Sequence, residues 1–161
     1  MVNQRVPPAT RDDVVDAVLS ASRVLVAVAA RSLAAVADEV TLPQYRALVV
    51  LASRGPQKVA GLAGHLDVTP ATATRMCDRL VRKRLITRTH ERGDRRSVRV
   101  DLSARGRSLV DEVSERRRRE ITELLRSVPP SSRGELVRAL GLLRDAAGEV
   151  PEQSWSTGWD L

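Results

Sequence analysis

A mainly α-helical fold carrying one small β-hairpin is what this sequence predicts, and three observations lead to it. Apolar residues recur at threes and fours over most of the chain, the spacing of one helix face. The period drops to two only between Ile86 and Leu102, the signature of paired strands with one buried face. Aromatic residues make up 2% of the 161 positions and Phe is absent, so a core must be built from Leu, Val and Ala packed between helices. Hydrophobic residues reach 42%, enough for one domain, or a small domain with extensions.

Met1 to Ala9 contains Pro7-Pro8 and no periodicity, and reads as a loose arm. Thr10 suits an N-cap, with Asp12 and Asp13 in the first turn, where the helix dipole favours acids. A first helix then runs to about Asp38, with Val14, Val18, Leu25, Val28 and Val36 on its apolar side. Between Val24 and Ala30 it is apolar around most of its girth, which implies burial on more than one face. In a chain this short, a partner subunit is the natural second surface.

Thr41-Leu42-Pro43-Gln44 reads as a capping box with Pro in the first turn, opening a second helix to about Ser53. Tyr45, Leu48, Val49 and Leu51 form its apolar side, and Arg54-Gly55-Pro56 ends it. Val59 to Leu66 is a short third helix with Leu62, Ala63 and Leu66 inward. Gly61 and Gly64 each cost it roughly 1 kcal/mol relative to Ala, so tertiary packing must hold it. Thr69 then caps a fourth helix with Pro70 at its first position. Ala73, Met76, Cys77 and Leu80 fall on one face of that helix; Thr72, Arg75, Arg79 and Arg82 fall on the other. Two short helices joined by a tight turn, the second with an exposed polar front, make a helix-turn-helix.

After Arg84 the hairpin begins. Its loop, Glu91-Arg92-Gly93-Asp94-Arg95-Arg96, is too charged for a core. Ser103 caps a long helix to about Ser127, where Glu112 with Arg116, Glu115 with Arg119 and Arg119 with Glu123 can pair. Leu109, Val113, Leu124 and Leu125 mark its apolar side. Pro129-Pro130 stops it. Ser132 and Glu135 read as a second capping box for a last helix lined by Leu136, Leu140 and Leu143 and ending near Gly148. A tail with Trp155 and Trp159 follows.

Charge points to the partner. The net charge is +7, yet residues 54 to 107 alone hold 14 basic and 5 acidic side chains, a balance of +9. Codon bias explains why Arg outnumbers Lys 25 to 2, but not where the unpaired charge sits. A basic segment centred on a helix-turn-helix and an Arg-tipped hairpin is a nucleic-acid footprint. There is no 20-residue apolar run for a membrane span, and no basic segment with a cleavage site opens the chain, so the expected location is cytoplasmic. One cysteine excludes an internal disulfide, and two histidines leave no metal cluster. No nucleophile-base-acid set or Gly-rich phosphate loop is present, so neither an enzyme nor a cofactor is expected.

The order of parts resembles the MarR family, the multiple antibiotic resistance regulators, over roughly residues 10 to 147. Three stretches carry the resemblance: TLPQYRALVVL at the second helix, VTPATATRMCDRLVRKRLITR at the recognition helix, and GDRRSVRVDLSARG at the wing and following helix start. The last, an Asp-x-Arg followed by an alternating strand and a Leu-Ser-x-x-Gly helix start, is the most specific. The resemblance implies a winged helix-turn-helix flanked by dimerisation helices. It divides the chain into an arm (1–9), an N-terminal dimerisation helix (10–40), a DNA-binding domain (41–102), C-terminal dimerisation helices (103–147) and a Trp-containing tail (148–161). It further implies a bacterial homodimeric transcription regulator, commonly a repressor, that binds a pseudo-palindromic duplex operator and releases it on meeting a small anionic or phenolic effector.

On that pattern Thr69, Ala71, Thr72 and Arg75 face the major groove, with Arg79 a weaker member because Asp78 and other acids can hold it in an ion pair. Arg is able to grip guanine through two hydrogen bonds, and Thr to meet a phosphate or a thymine methyl. In the wing, Asp94 orients an Arg while Arg92, Arg95 and Arg96 reach the minor groove or phosphates. Tyr45 or Arg46 is the expected contact for an effector. Arg116 to Arg119 point in four directions among Glu112, Glu115, Glu120 and Glu123, and read as a solvated, ion-paired helix rather than a nucleic-acid patch. Cys77 lies on an apolar face and reads as a buried, inert thiol. His65 and His90 read as surface residues. The rival readings are an architectural DNA binder without an operator and a protein-interaction module for an acidic partner.

Overall fold

The computed structural model describes residues 9–91, 94–151 and 155. Helix α1 (Arg11–Ala34) starts as a capping box: Thr10 Oγ accepts from the Asp13 N–H at 3.2 Å, and the Asp13 carboxylate accepts from the Thr10 N–H at 2.8 Å. The Thr10 hydroxyl and N–H together hold the Asp13 carboxyl below its ordinary range. The helix stops short of the expected Asp38, and residues 35–39 form a turn. That turn lets Val36 and Val40 leave the helix axis and enter the core, where both are buried.

Helix α2 (Leu42–Arg54) buries Tyr45, Ala47, Leu48 and Leu51, close to the expected face. Strand β1 (Gln57–Lys58) pairs with a later strand, so the expected two-stranded hairpin is a three-stranded antiparallel sheet. A two-residue strand is too short to show a period, which is why the alternation did not reveal it. Helix α3 (Val59–Leu66) and helix α4 (Pro70–Arg82) are joined through Asp67 in the left-handed conformation, φ +54°. Thr69 caps α4 by accepting from the Thr72 N–H at 3.2 Å. Leu62, Ala63 and Leu66 of α3 and Ala73, Cys77 and Leu80 of α4 are buried, as the spacing predicts.

Strand β2 (Ile86–Glu91) and strand β3 (Asp94–Leu102) form the wing in the sheet order β1-β3-β2. Ile86 opposes Leu102 and Arg88 opposes Val100. The six-residue loop expected from charge is shorter. Glu91 pairs with Asp94, the register shifts after His90, and Arg95 and Arg96 belong to the strand. At the base of the wing Thr87, Arg88 and Thr89 are exposed, so strand pairing tolerates a charged side chain there. Arg92 and Gly93 lie outside the described residues.

Helix α5 (Ala104–Leu124) is capped by Ser103, whose Oγ accepts from the Gly106 N–H at 3.0 Å and donates to the Arg84 carbonyl at 2.6 Å. Two 3-10 turns, Leu125–Ser127 and Pro130–Ser132, lead to helix α6 (Arg133–Ala146). The second capping box does not form. Ser132 sits in helical backbone and makes no side-chain cap bond, because the 3-10 turn, closed by the Ser132 N–H on the Pro129 carbonyl at 3.0 Å, already starts the helix. A single core runs from Val36 through α2, α3, α4 and the sheet to Val113. Helix α6 contributes no buried residue to it. Trp155 packs against this core, while Trp159 lies outside the described residues.

Candidate nucleic-acid interface

Helix α4 owes its direction to its buried side. Ala73, Cys77 and Leu80 have no exposed surface. That anchors one stripe and turns the opposite stripe outward. There Thr69, Ala71, Arg75 and Arg79 are exposed and Thr72 is half-buried. The Thr69 and Thr72 hydroxyls are 2.9 Å apart. Asp78 does not hold Arg79; it pairs with Arg88 of β2 at 2.6 Å. Among the described residues neither Arg75 nor Arg79 has an acidic partner. Two guanidiniums one helical turn apart are therefore available to an external anion. They line, with Thr41, Pro43, Gln44, Thr72 and Met76, a groove of about 190 Å³ between the start of α2 and α4.

The wing residues Asp94, Arg95 and Arg96 are in β3, beyond the core-bound part of the sheet. Their side chains, and Arg92 entirely, lie outside the described residues. The Asp78–Arg88 pair ties the base of the wing to α4, so helix and wing present one surface.

Of the Arg116–Arg119 run, Arg116 pairs with Glu112 at 2.9 Å, and Glu120 takes Arg31 of α1 at 2.7 Å. Arg117 behaves differently. It is half-buried, with its guanidinium 6.0 Å from the centroid of the Tyr45 ring. Sequence reasoning missed this role, although Arg117 stands one turn from the buried Val113, a spacing that marks the inward face. Arg117 also lines a largely apolar cavity of about 390 Å³ with Ser22, Leu25, Val26, Val28, Ala29 and Ile121. Of the two effector candidates, Tyr45 is buried beneath Arg117 and Arg46 is exposed on α2. His65 is exposed.

Cys77 is fully buried, and burial pushes its thiol pKa up against the opposing pull of Arg88. A protonated, enclosed thiol is a poor nucleophile. Peroxide is expected to leave DNA binding unchanged, with Cys77→Ser behaving like wild type. Binding lost on oxidation in wild type but retained in Cys77→Ser would assign the thiol a sensing role.

The MarR family model matches residues 40–98, from the start of α2 into the wing. The crystal structure of RV1404 from Mycobacterium tuberculosis is 42% identical, covers 90% of this chain and 99% of its own, and superposes with a TM-score of 0.81. A MarR family protein from Bacillus stearothermophilus is 25% identical, with coverages of 88% and 100% and a TM-score of 0.72. The chain belongs to the MarR family. Its fold is therefore that family's winged helix-turn-helix, with α3 and α4 as the helix-turn-helix and β2–β3 as the wing. Among curated relatives, the HTH-type transcriptional repressor MdtR of Bacillus subtilis is 39% identical over 74 residues, covering 46% of this MarR-family chain and 48% of MdtR. The chain spans about half the length of the curated relatives it matches first. No helix among the described residues is long and apolar enough to cross a membrane.

Proposed function

We propose that this MarR-family chain is a homodimeric, sequence-specific DNA-binding transcription regulator acting in the cytoplasm. Helix α4 enters the major groove, and the β2–β3 wing meets the minor groove or phosphates. The observation that carries the reading is the outward stripe Thr69, Ala71, Thr72, Arg75 and Arg79, with its two arginines free of acidic partners among the described residues. It stands on the segment that concentrates a balance of +9. Exposed apolar side chains on α1 (Val14, Val18, Leu19) and α6 (Val137, Leu140, Leu142) support a second copy packed against these helices. Two α4 copies would then meet successive major grooves about 34 Å apart on a pseudo-palindrome.

Repression is supported by the name of the relative MdtR. An effector is supported by the cavity of about 390 Å³ beside Arg117, within the size range of small-molecule sites. Its apolar walls suit a ring or chain, and the guanidinium suits a carboxylate or phenolate.

The test is a mobility-shift titration with duplex DNA from the chain's own upstream region, against random duplex at fixed salt. Tight binding that resists competition is expected. Equal affinity for both duplexes would indicate an architectural binder, and no binding to either would favour a protein partner. Arg96→Ala is expected to weaken binding and to lower the salt slope by about one for each phosphate it no longer neutralises. An unchanged slope would remove Arg96 from the interface.

A further inference from the structure

Gln44 is a side chain the fold does not finish using. It is 6% exposed, and its Oε1 accepts from the Thr41 N–H at 3.2 Å and from Lys83 Nζ at 3.5 Å. Its amide Nε2 has no acceptor among the described residues, and the side chain lines the groove between the start of α2 and α4. Nε2 keeps some open surface, so this donor is available to an acceptor outside the chain. Thr72, Arg75 and Arg79 line the same groove from α4.

The groove has a surplus of positive charge. The carboxylate of Asp78 is occupied by Arg88 at 2.6 Å, and that of Glu39 by Arg105 at 2.6 Å. Lys83 lies behind Gln44, with its ammonium donating to the Glu39 carbonyl. The start of α2 opens onto the same space and adds the partial positive charge of a helix N-terminus. Arginine and the Gln amide nitrogen offer only N–H donors. At about 190 Å³ the groove is below the size of a drug-like ligand site. It suits a compact, tetrahedral, multiply accepting anion.

We propose that this groove is a phosphate clamp, in which Arg75, Arg79 and the Gln44 amide hold one phosphodiester of the DNA backbone. The clamp rests on the DNA-binding reading and sharpens it. Arg75 and Arg79 then set the depth and tilt of α4 in the major groove, and base contacts fall to Thr69, Ala71 and neighbouring positions. That division differs from the guanine contact that the family resemblance suggested for Arg75. Phosphate contacts position a protein without carrying sequence information, so the two roles separate experimentally.

Gln44→Glu is the informative variant. It keeps an oxygen acceptor for Thr41 and Lys83, so the helix cap survives, and it replaces the amide donor with a negative charge. Full-length wild type, Gln44→Glu, Arg75→Gln and Arg79→Gln are titrated with upstream duplex and random duplex over a salt series. Gln44→Glu is expected to weaken both duplexes tenfold or more, roughly the cost of turning one charged contact repulsive. Each Arg variant is expected to weaken both alike and to lower the salt slope by less than one, and the double variant by about one, the single charge of the clamped phosphodiester. The ratio of specific to random affinity stays as in wild type, and Tm is unchanged. Wild-type affinity in Gln44→Glu overturns the clamp, as does an affinity ratio that collapses toward unity in Arg75→Gln, which would make that residue a base reader. If Gln44→Glu does not fold, the slope and ratio of Arg79→Gln decide. Wild-type protein that binds neither duplex overturns the DNA reading and the clamp with it, so the two failures are distinct.

Discussion

Gly106→Ala is expected to be the most damaging single methyl in the protein. A Cβ built at Gly106 lies 2.0 Å from the Leu85 carbonyl oxygen and 3.2 Å from Leu102 Cδ2. The carbonyl cannot move freely, because it accepts the Ser103 N–H at 3.0 Å at the corner where the sheet hands over to α5. Leu85 is itself fully buried, and Arg84 before it sits at φ +58°. Overpacking against backbone costs about 3 kcal/mol or more, the upper range for inserted methylenes. That exceeds the gain of about 1 kcal/mol that Ala normally brings to a helix. The net loss of about 2 kcal/mol or more lowers Tm by roughly 4–8 °C or more for a chain of this size, read by thermal unfolding. Gly64→Ala supplies the contrast, since nothing lies within 4 Å of its Cβ. It is expected to raise stability by up to about 1 kcal/mol. Opposite signs at the two glycines are the expected result, and a neutral Gly106→Ala would refute the clash.

Leu140→Asp is expected to split the proposed homodimer without unfolding the winged domain. In the single chain α6 buries no residue, and Val137, Leu140, Leu142 and Leu143 are all exposed. A helix with apolar residues this widely spread has its packing partner elsewhere. Introducing a carboxylate there leaves an uncompensated buried charge in the dimer, which costs about 3–5 kcal/mol. Dimer affinity then falls by about two to four orders of magnitude, at 1.4 kcal/mol for each tenfold. Sedimentation reports the monomer, circular dichroism reports retained helix, and specific DNA binding falls because one half-site must act alone. A Leu140→Asp protein that remains dimeric would place the interface on another surface.

Much of this molecule was legible in the sequence because its signals are local. Thr10, Thr69 and Ser103 cap their helices as the residue types predict, and each cap lies within three residues of its partner. The buried stripe Ala73, Cys77, Leu80 follows from helical spacing alone. What escaped reading depends on contacts far apart in sequence or on backbone pairing. The strand Gln57–Lys58 exists only because Val100 and Arg99 lie beside it. Ser132 has the composition of a cap, yet the preceding 3-10 turn preempts it. Arg117 belongs to a charged run in the sequence but folds over Tyr45, a residue of another helix.

The candidate interface divides along the same line. The sequence by itself determined that a basic helix-turn-helix and wing would exist, because periodicity, caps and charge are written residue by residue. Spacing also placed Thr72, Arg75, Arg79 and Arg82 on one face of one helix, and the family resemblance added Thr69 and Ala71. Only the tertiary structure decided which acids are already taken. Asp78 reaches across to Arg88 rather than along its own helix to Arg79, and Glu39 is held by Arg105 from α5. Only the tertiary structure brought Gln44 of α2 to the same groove as Arg75 and Arg79. Charge counts along a chain cannot tell a paired arginine from an available one, since pairing is a matter of distance in space.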